Sequence, residues 1–375
     1  MRLLIITPQA PEQNSTFIKA QIKYLMPYKI LHTNVRPYIC DNKSILGFPL
    51  NLRLIQILIK RFLPWAYTYF YTLSLSKFII ANRIDYALIN YGPHGANVAN
   101  AFKKTGVPFI VHFHGADAFV YKVIKKYKQK YIQMFQGCDR CIAVSKDMVK
   151  QLILLGCPAE KILLNPYGID CKLFSQTKPG NNDKLLLFLG NYTEKKSPDL
   201  LILAFNEVLK KIPDARLIMI GKGPMEKKVK HMIKELKLDA HVQLLKWQTP
   251  EEISNFMKIS RAYVQHSKFA RNGDSEGTPL AILEASICGL PVISTFHAGI
   301  KEAVIHNQTG FLVEEGDWQA MAGYMEKIIT DPKLAGTLGQ AAHNHAISHY
   351  SIEKQMNELI KLIYKKTFDE FYQIK

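Results

Sequence analysis

Two glutamates, Glu276 and Glu284, flank seven residues in the stretch NGDSEGTPLAILEASICGLP, Asn272 to Pro291. Between them Gly277 and Thr278 read as loop and N-cap, and Pro279 as the first helical residue. Leu280 to Leu283 continue the helix, Gly289 and Pro291 stop it, and a short strand, Val292 to Ser294, follows. The free backbone N–H groups of such a helix start attract a phosphate. Carboxylates on either side accept hydrogen bonds from sugar hydroxyls. A diphosphate with a hydroxyl-rich group at each end, the make-up of a nucleotide sugar, fits that pattern. A capped helix preceded by a solvated glutamate fits the spacing equally well.

Other residues of chemical interest follow strand-like runs. Gly190 and Asn191 open GNYTEKKS, where Lys195 and Lys196 read either as a phosphate clamp or as a solvated loop. HFHGAD sets His112, His114 and Asp117 at the carboxyl end of a predicted strand, where ligands of parallel sheets bind, although a structural histidine also suits that place. Trp247, after another strand end, reads as the wall of a base site or as core. GKGP at Gly221 to Pro224 is a turn signal. Cys138 and Cys141 form a single CxxC without the second pair a metal site needs.

The net charge of +18 is unevenly spread. Residues 1–180 hold 24 Lys and Arg against 8 Asp and Glu, a net +16, and residues 181–375 hold 25 against 23. Such a basic half calls for an anionic partner, nucleic acid or the inner leaflet of a membrane. Leu50 to Ile80 is apolar and aromatic, with Trp65, Tyr67, Tyr69, Phe70 and Tyr71. Its longest uncharged run, Phe62 to Ser76, is fifteen residues and includes Pro64, too short to span a bilayer. A surface-lying helix flanked by Arg53, Lys60, Arg61 and Lys77 and a pair of core helices are the two readings. The lysine run Lys122, Lys125, Lys126, Lys128, Lys130 supports the first. Six cysteines without a disulfide framework, and a chain that starts in a strand rather than a signal peptide, predict a cytoplasmic protein, with the inner membrane face as its peripheral address.

The elements that position these residues alternate between strand and helix, which predicts parallel sheets covered on both faces. Strands are expected at Arg2–Thr7, Tyr86–Asn90, Pro108–Phe113, Arg140–Ser145 and Ile162–Gly168, and a helix from near Thr16. The first loop lacks GxGxxG, which argues against a dehydrogenase. A polar stretch, Ser175 to Asp183, reads as a linker. The alternation restarts at Leu185–Gly190, Arg216–Gly221, Val242–Leu245, Ala262–Ser267, Pro291–Thr295 and Gly310–Val313. The fold class is α/β, with Rossmann-like domains at 1–175 and 176–350 and a last helical segment, 351–375, packing back across the junction.

In this order the pieces resemble the retaining nucleotide-sugar glycosyltransferases of family four. The marks are HFHGAD, NPYGID (Asn165–Asp170), GNYTEKKS, MIGKGP, EGTPLAILEA, GLPVIST, HAGIKE and TGFLV, strongest from Leu185 to Asp317. GDSEG and NSTFI (Asn14–Ile18) look most like members that build exopolysaccharide and capsule repeat units. The resemblance implies the GT-B architecture, two Rossmann-like domains facing each other across a cleft. It implies that Glu276 contacts the donor sugar, that Gly277, Thr278 and Pro279 bring the helix start to the diphosphate, and that Glu284 binds the ribose hydroxyls. Lys196 would neutralise the leaving diphosphate, with Gly190, Asn191, Lys195 and Trp247 around the donor, and His114 would lie beside the sugar. Asn191 departs from the arginine usual there, and Ser15 from a frequent glutamate.

The expected activity is a metal-independent hexosyl transfer, with retention, from a nucleotide diphosphate sugar to a glycan or lipid-linked acceptor. In such enzymes the departing phosphate helps remove the acceptor proton. No Asp-x-Asp triplet occurs, which disfavours a metal-clamped diphosphate. No cofactor is expected. A sugar phosphorylase or nucleotide-sugar epimerase on the same fold is the first alternative. The second is a non-enzymatic protein binding membrane or nucleic acid, with nucleic acid disfavoured by the absence of aromatic-interleaved RNA motifs.

Overall fold

The structure, a computed structural model, describes residues 1–13, 15–32, 39–40, 43–45, 62–365 and 371. Asn14, Arg53, Lys60, Arg61 and the rest of residues 50–61 lie outside the described residues. Met1–Val144, Met148–Asn165 and Met356–Lys375 form one compact unit, and Ser145–Asp147 with Pro166–Gln355 a second.

The first unit holds strands β1 (Leu3–Thr7), β2 (Lys29–His32), β3 (Ile39–Cys40), β4 (Lys43–Ser44), β5 (Tyr86–Asn90), β6 (Phe109–His112), β7 (Arg140–Ala143) and β8 (Ile162–Leu164). They lie in the order β4-β3-β2-β1-β5-β6-β7-β8. From β2 to β8 neighbours are parallel, and β3 and β4 add a short antiparallel edge. β1, β5 and β6 are buried at every position, as strands covered on both faces must be, and hence read as largely apolar runs, each closed by one polar residue, Thr7, Asn90 and His112. The last expected strand is shorter than its sequence suggests: pairing stops at Leu164, and after the Asn165 N–H reaches Ala143 O, Pro166 has no N–H to extend the ladder. The helix Ile352–Tyr364 enters the first unit at Met356, and Tyr364 Oη donates to Leu25 O at 2.8 Å.

The second unit holds β9 (Leu185–Leu189), β10 (Arg216–Ile220), β11 (Val242–Leu245), β12 (Ala262–Val264), β13 (Val292–Thr295) and β14 (Gly310–Val313), all parallel, in the order β11-β10-β9-β12-β13-β14. That order is a doubly wound sheet whose direction of winding reverses between β9 and β12. At such a reversal the loops leaving two neighbouring carboxyl ends diverge and open a crevice. Phe188, Phe205, Met321 and Met325 belong to the core that fixes those strand ends. Among the described residues no helix is long and apolar enough to cross a membrane.

Candidate active site

The loop leaving β9 delivers Lys195 and Lys196 to the β9/β12 reversal. Lys196 Nζ lies 2.9 Å from Glu276 Oε1 and 3.1 Å from Gln265 Oε1. Its stem runs along Gly190, where a Cβ would come within 2.7 Å of Lys196 Cδ, so the glycine clears the path of the lysine. Lys195 Nζ donates to Asp274 Oδ1 and Ser275 O, both at 3.2 Å. The weak GKGP signal proves to be packing: a Cβ on Gly221 would meet Gly190 O at 2.0 Å, and Tyr192 N–H and O bond Lys222 O and Met225 N–H. The second sheet thus presents two largely buried ammonium groups, each already paired.

Glu276 is buried, which by itself would raise its carboxyl pKa; Lys196 first and Lys195 next reverse this and bring it to about 2. Its backbone is held as firmly. Glu276 N–H donates to His297 Nε2 (3.2 Å), Ser275 Oγ lies 3.1 Å from the same nitrogen, and His297 Nδ1 donates to Glu315 Oε1 at 2.6 Å. Glu315 Oε2 also accepts the Phe269 N–H, at 2.9 Å. Gly299 N–H donates to Gly277 O at 3.0 Å, an approach only glycine permits, since a Cβ there would sit 2.2 Å from that oxygen. Gln265 has its own orienters, Tyr263 Oη on Oε1 (2.8 Å) and Ser267 Oγ on Nε2 (2.7 Å).

The helix after this loop is Leu280–Ile287, one residue later than expected. Pro279, with φ −65° and ψ 119°, is the N-cap rather than Thr278, because its carbonyl accepts from Ile282 and Leu283 (3.1 and 3.3 Å). Glu284 lies on this helix, and no described residue donates to its carboxyl group, whose pKa burial pushes up to about 7. Trp247 follows edge strand β11, two strands from β9, and is 43% exposed, so it is not a core residue. Asn191 is exposed beside Gly190.

In the first unit His114 Nε2 lies 2.9 Å from Asn90 Oδ1, and its ring packs against those of Phe17, Tyr91 and His112. Burial, then His112, holds its pKa well below the ordinary range, so the ring is neutral at physiological pH. His112 is held through Nδ1 by Gln21 Nε2 at 2.8 Å. Asp117 is a clamp: its carboxylate accepts N–H groups of Gly92, His114 and Gly115, each at 2.9 Å. Cys138 and Cys141 are free thiols 3.6 Å apart. Gly190, Lys195, Lys196, Glu276, Gly277 and Thr278 therefore belong to one constellation and His114 to a separate strand-end loop. Gln265, His297 and Glu315 complete the former without having been singled out in the sequence.

The model of the family described as Glycosyltransferase Family 4 matches residues 35–173, and that of Glycosyl transferases group 1 matches residues 172–345. The chain belongs to the family 4 glycosyltransferases. The amylovoran biosynthesis glycosyltransferase AmsK of Erwinia amylovora is 31% identical over 265 residues, 68% of this chain and 65% of that protein, so this glycosyltransferase spans just under two thirds of that relative's length. The putative colanic acid biosynthesis glycosyltransferase WcaL of Escherichia coli (strain K12) is 29% identical over 291 residues, 75% of this chain and 71% of its own. Among solved structures, Alr3699/HepE of Anabaena in complex with UDP-glucose matches with a TM-score of 0.75 at 16% identity, covering 96% of this chain and 99% of that one. Sucrose-phosphate synthase of Thermosynechococcus elongatus gives 0.75 at 16%, covering all of both chains. These likenesses show the GT-B fold. Family membership favours the transferase over the phosphorylase, the epimerase and the non-enzymatic readings.

Proposed function

We propose that this glycosyltransferase moves a hexosyl unit, with retention and without a metal ion, from a nucleotide diphosphate sugar to a hydroxyl of a lipid-linked glycan in exopolysaccharide, capsule or lipopolysaccharide synthesis. The observation that carries the reading is Lys196 held between Glu276 and Gln265 at the β9/β12 reversal. An ammonium has three N–H donors. Two point at those side chains, and the third is available to an oxygen of the diphosphate. The roles named for AmsK and WcaL, amylovoran and colanic acid biosynthesis, support the polysaccharide setting, and the missing Asp-x-Asp triplet supports metal independence.

In this reading the bond from the anomeric carbon to the diphosphate oxygen breaks, the acceptor oxygen bonds the same face of that carbon, and its proton passes to the departing diphosphate. Lys196 and the backbone N–H groups after Thr278 stabilise the charge that develops on the leaving group. Glu276 accepts from sugar hydroxyls while fixing Lys196, Trp247 walls the base, and neutral His114 contacts the sugar's hydroxyls or orients the reaction. The protein works in the cytoplasm beside the inner face of the membrane, its basic first unit toward the lipid.

A thermal-shift screen of nucleotide sugars tests the core of this. The cognate donor at a hundredfold excess over its Kd stabilises the fold by about 2.7 kcal/mol. A donor converted without any acceptor would indicate an epimerase instead, and a requirement for phosphate a phosphorylase. The anomeric coupling constant of the product checks retention.

Glu284 gives the donor site a pH signature. With its pKa raised by burial to about 7, the carboxyl is largely protonated below that pH and accepts from both ribose hydroxyls only above it. Donor affinity therefore rises with pH through about 7, a range in which a nucleotide diphosphate sugar does not itself titrate. Glu284→Gln flattens the profile and weakens binding by about 1–3 kcal/mol. The same pH slope in the variant would remove Glu284 from the ribose.

A further inference from the structure

Three helices of the first unit, Pro64–Ala81, Gly92–Thr105 and Tyr121–Gly137, lie side by side, the middle one packed on both others. Gly92–Thr105 leaves β5 and returns to β6, Tyr121–Gly137 lies between β6 and β7, and Pro64–Ala81 leads into β5. Because those strands are parallel, all three helices run against them. Their N-terminal ends therefore stand at the carboxyl edge of the sheet, the edge that carries His114.

At that end the outermost helix exposes aromatic rings. Trp65, Tyr69 and Phe70 are 72, 58 and 60% exposed, while Tyr67, Tyr71, Leu75 and Ile79 hold the helix to the unit. No charge interrupts this helix before Lys77. On the far helix Lys122, Lys125, Lys126 and Lys130, at spacings of three, four and eight from the first, form one exposed stripe opposite the buried Tyr131, Met134 and Phe135. That helix has no acidic residue, and none of these lysines has a carboxylate partner among the described residues. A cationic stripe without counter-charge asks for phosphates. Exposed Trp and Tyr with their polar tips in water suit the headgroup level of a bilayer.

From this juxtaposition we infer that the carboxyl-edge end of the first unit docks on an anionic phospholipid bilayer, the lysine stripe on lipid phosphates and Trp65, Tyr69 and Phe70 at headgroup depth. The inference rests on the proposed lipid-linked acceptor and names the surface that meets its membrane. It brings the strand-end loop of His114 toward the layer that carries such an acceptor.

The test is co-sedimentation of the full chain with vesicles of phosphatidylcholine alone and of equal parts phosphatidylcholine and phosphatidylglycerol. Binding is expected to the mixed vesicles and to weaken with salt. Each lysine near the surface is worth about fivefold, so K122Q/K125Q/K126Q/K130Q weakens it by about a hundredfold or more, while the matching fourfold Lys→Arg variant retains it. W65A/F70A weakens it by about tenfold at high and low salt alike, and the tryptophan emission shift on vesicle addition is absent in W65F. Equal binding to neutral and mixed vesicles, or wild-type binding by the fourfold Gln variant, overturns the inference. So does displacement of the vesicles by DNA at matched salt, which would make the stripe a nucleic-acid surface. The donor-induced thermal shift of the fourfold Gln variant stays that of wild type, so loss of this surface and failure of the transferase reading are told apart.

Discussion

Lys196→Ala lowers turnover by about 10²–10³-fold, the cost of removing one preorganised charge from a site where a leaving group gathers negative charge. The reason lies in the position of its ammonium, 2.9 Å from Glu276 and 3.1 Å from Gln265 in a largely buried setting, where charge is poorly screened. The substitution also leaves the buried Glu276 with only the more distant help of Lys195, so the fold loses stability as well. Separating the two effects takes a second variant. Lys196→Met combined with Glu276→Gln removes both charges together and recovers stability without recovering turnover. Lys196→Arg keeps the charge but exchanges a compact ammonium for a planar fork, and retains part of the rate. Unchanged single-turnover kinetics in Lys196→Ala, at a temperature where it is folded, would rule out its role at the diphosphate.

Glu276→Gln acts in the opposite sense on the same pair. It strips the counter-charge from Lys196, and breaking a buried pair by removing one partner costs about 3–5 kcal/mol. Turnover falls with it, since the carboxylate is the sugar-facing acceptor in the proposed reading. The folded-state pKa of Glu276, about 2, lies below its ordinary value near 4.5. Its contribution to stability is therefore present above about pH 4.5 and lost as pH falls toward 2. Thermal denaturation of wild type across that window should steepen relative to the variant. A nucleoside diphosphate should stabilise Glu276→Gln more than wild type, because it returns negative charge to the lysine that has lost its carboxylate partner. An unaltered melting temperature together with normal turnover would contradict both assignments.

The strands that frame the sites were legible because parallel strands covered on both faces, such as β1, β5 and β9, must be apolar along nearly all their length. The strands beyond β1 on one side of the first sheet were not: β2 is four residues long with a lysine and a histidine, and β3 and β4 have two residues each, too few to show a period. Within the site, residues close in sequence announced themselves. Lys195 and Lys196 share a loop after a strand, and Glu276 precedes a helix signal. Gln265, His297 and Glu315 act through register, which one-dimensional spacing hides. β13 and β14 pair Thr295 with Val313, so His297 and Glu315, each two residues further on, arrive together. β12 and β9 pair Tyr263 with Leu187, which brings Gln265 level with the end of β9. All three lie one or two residues past the carboxyl end of a strand, where ligands of parallel sheets bind. The helix starts one residue later than the sequence suggests because proline serves at the cap and at the first turn alike, and only its ψ decides between them.

The pairing of Lys195 with Asp274 and of Lys196 with Glu276 bears on what the site turns away. With Asn191 where an arginine is usual, the two cations face two carboxylates and no surplus positive charge remains among these four. In the proposed reading a bare anion arriving there, inorganic phosphate or a nucleotide without its sugar, finds only the remaining N–H of each ammonium group and carboxylates that repel it. A molecule that offers hydroxyls to Glu276 while it offers oxygens to the lysines satisfies both partners of the pair at once. In the proposed reading, the ion pairs thus favour an anion that arrives joined to a sugar.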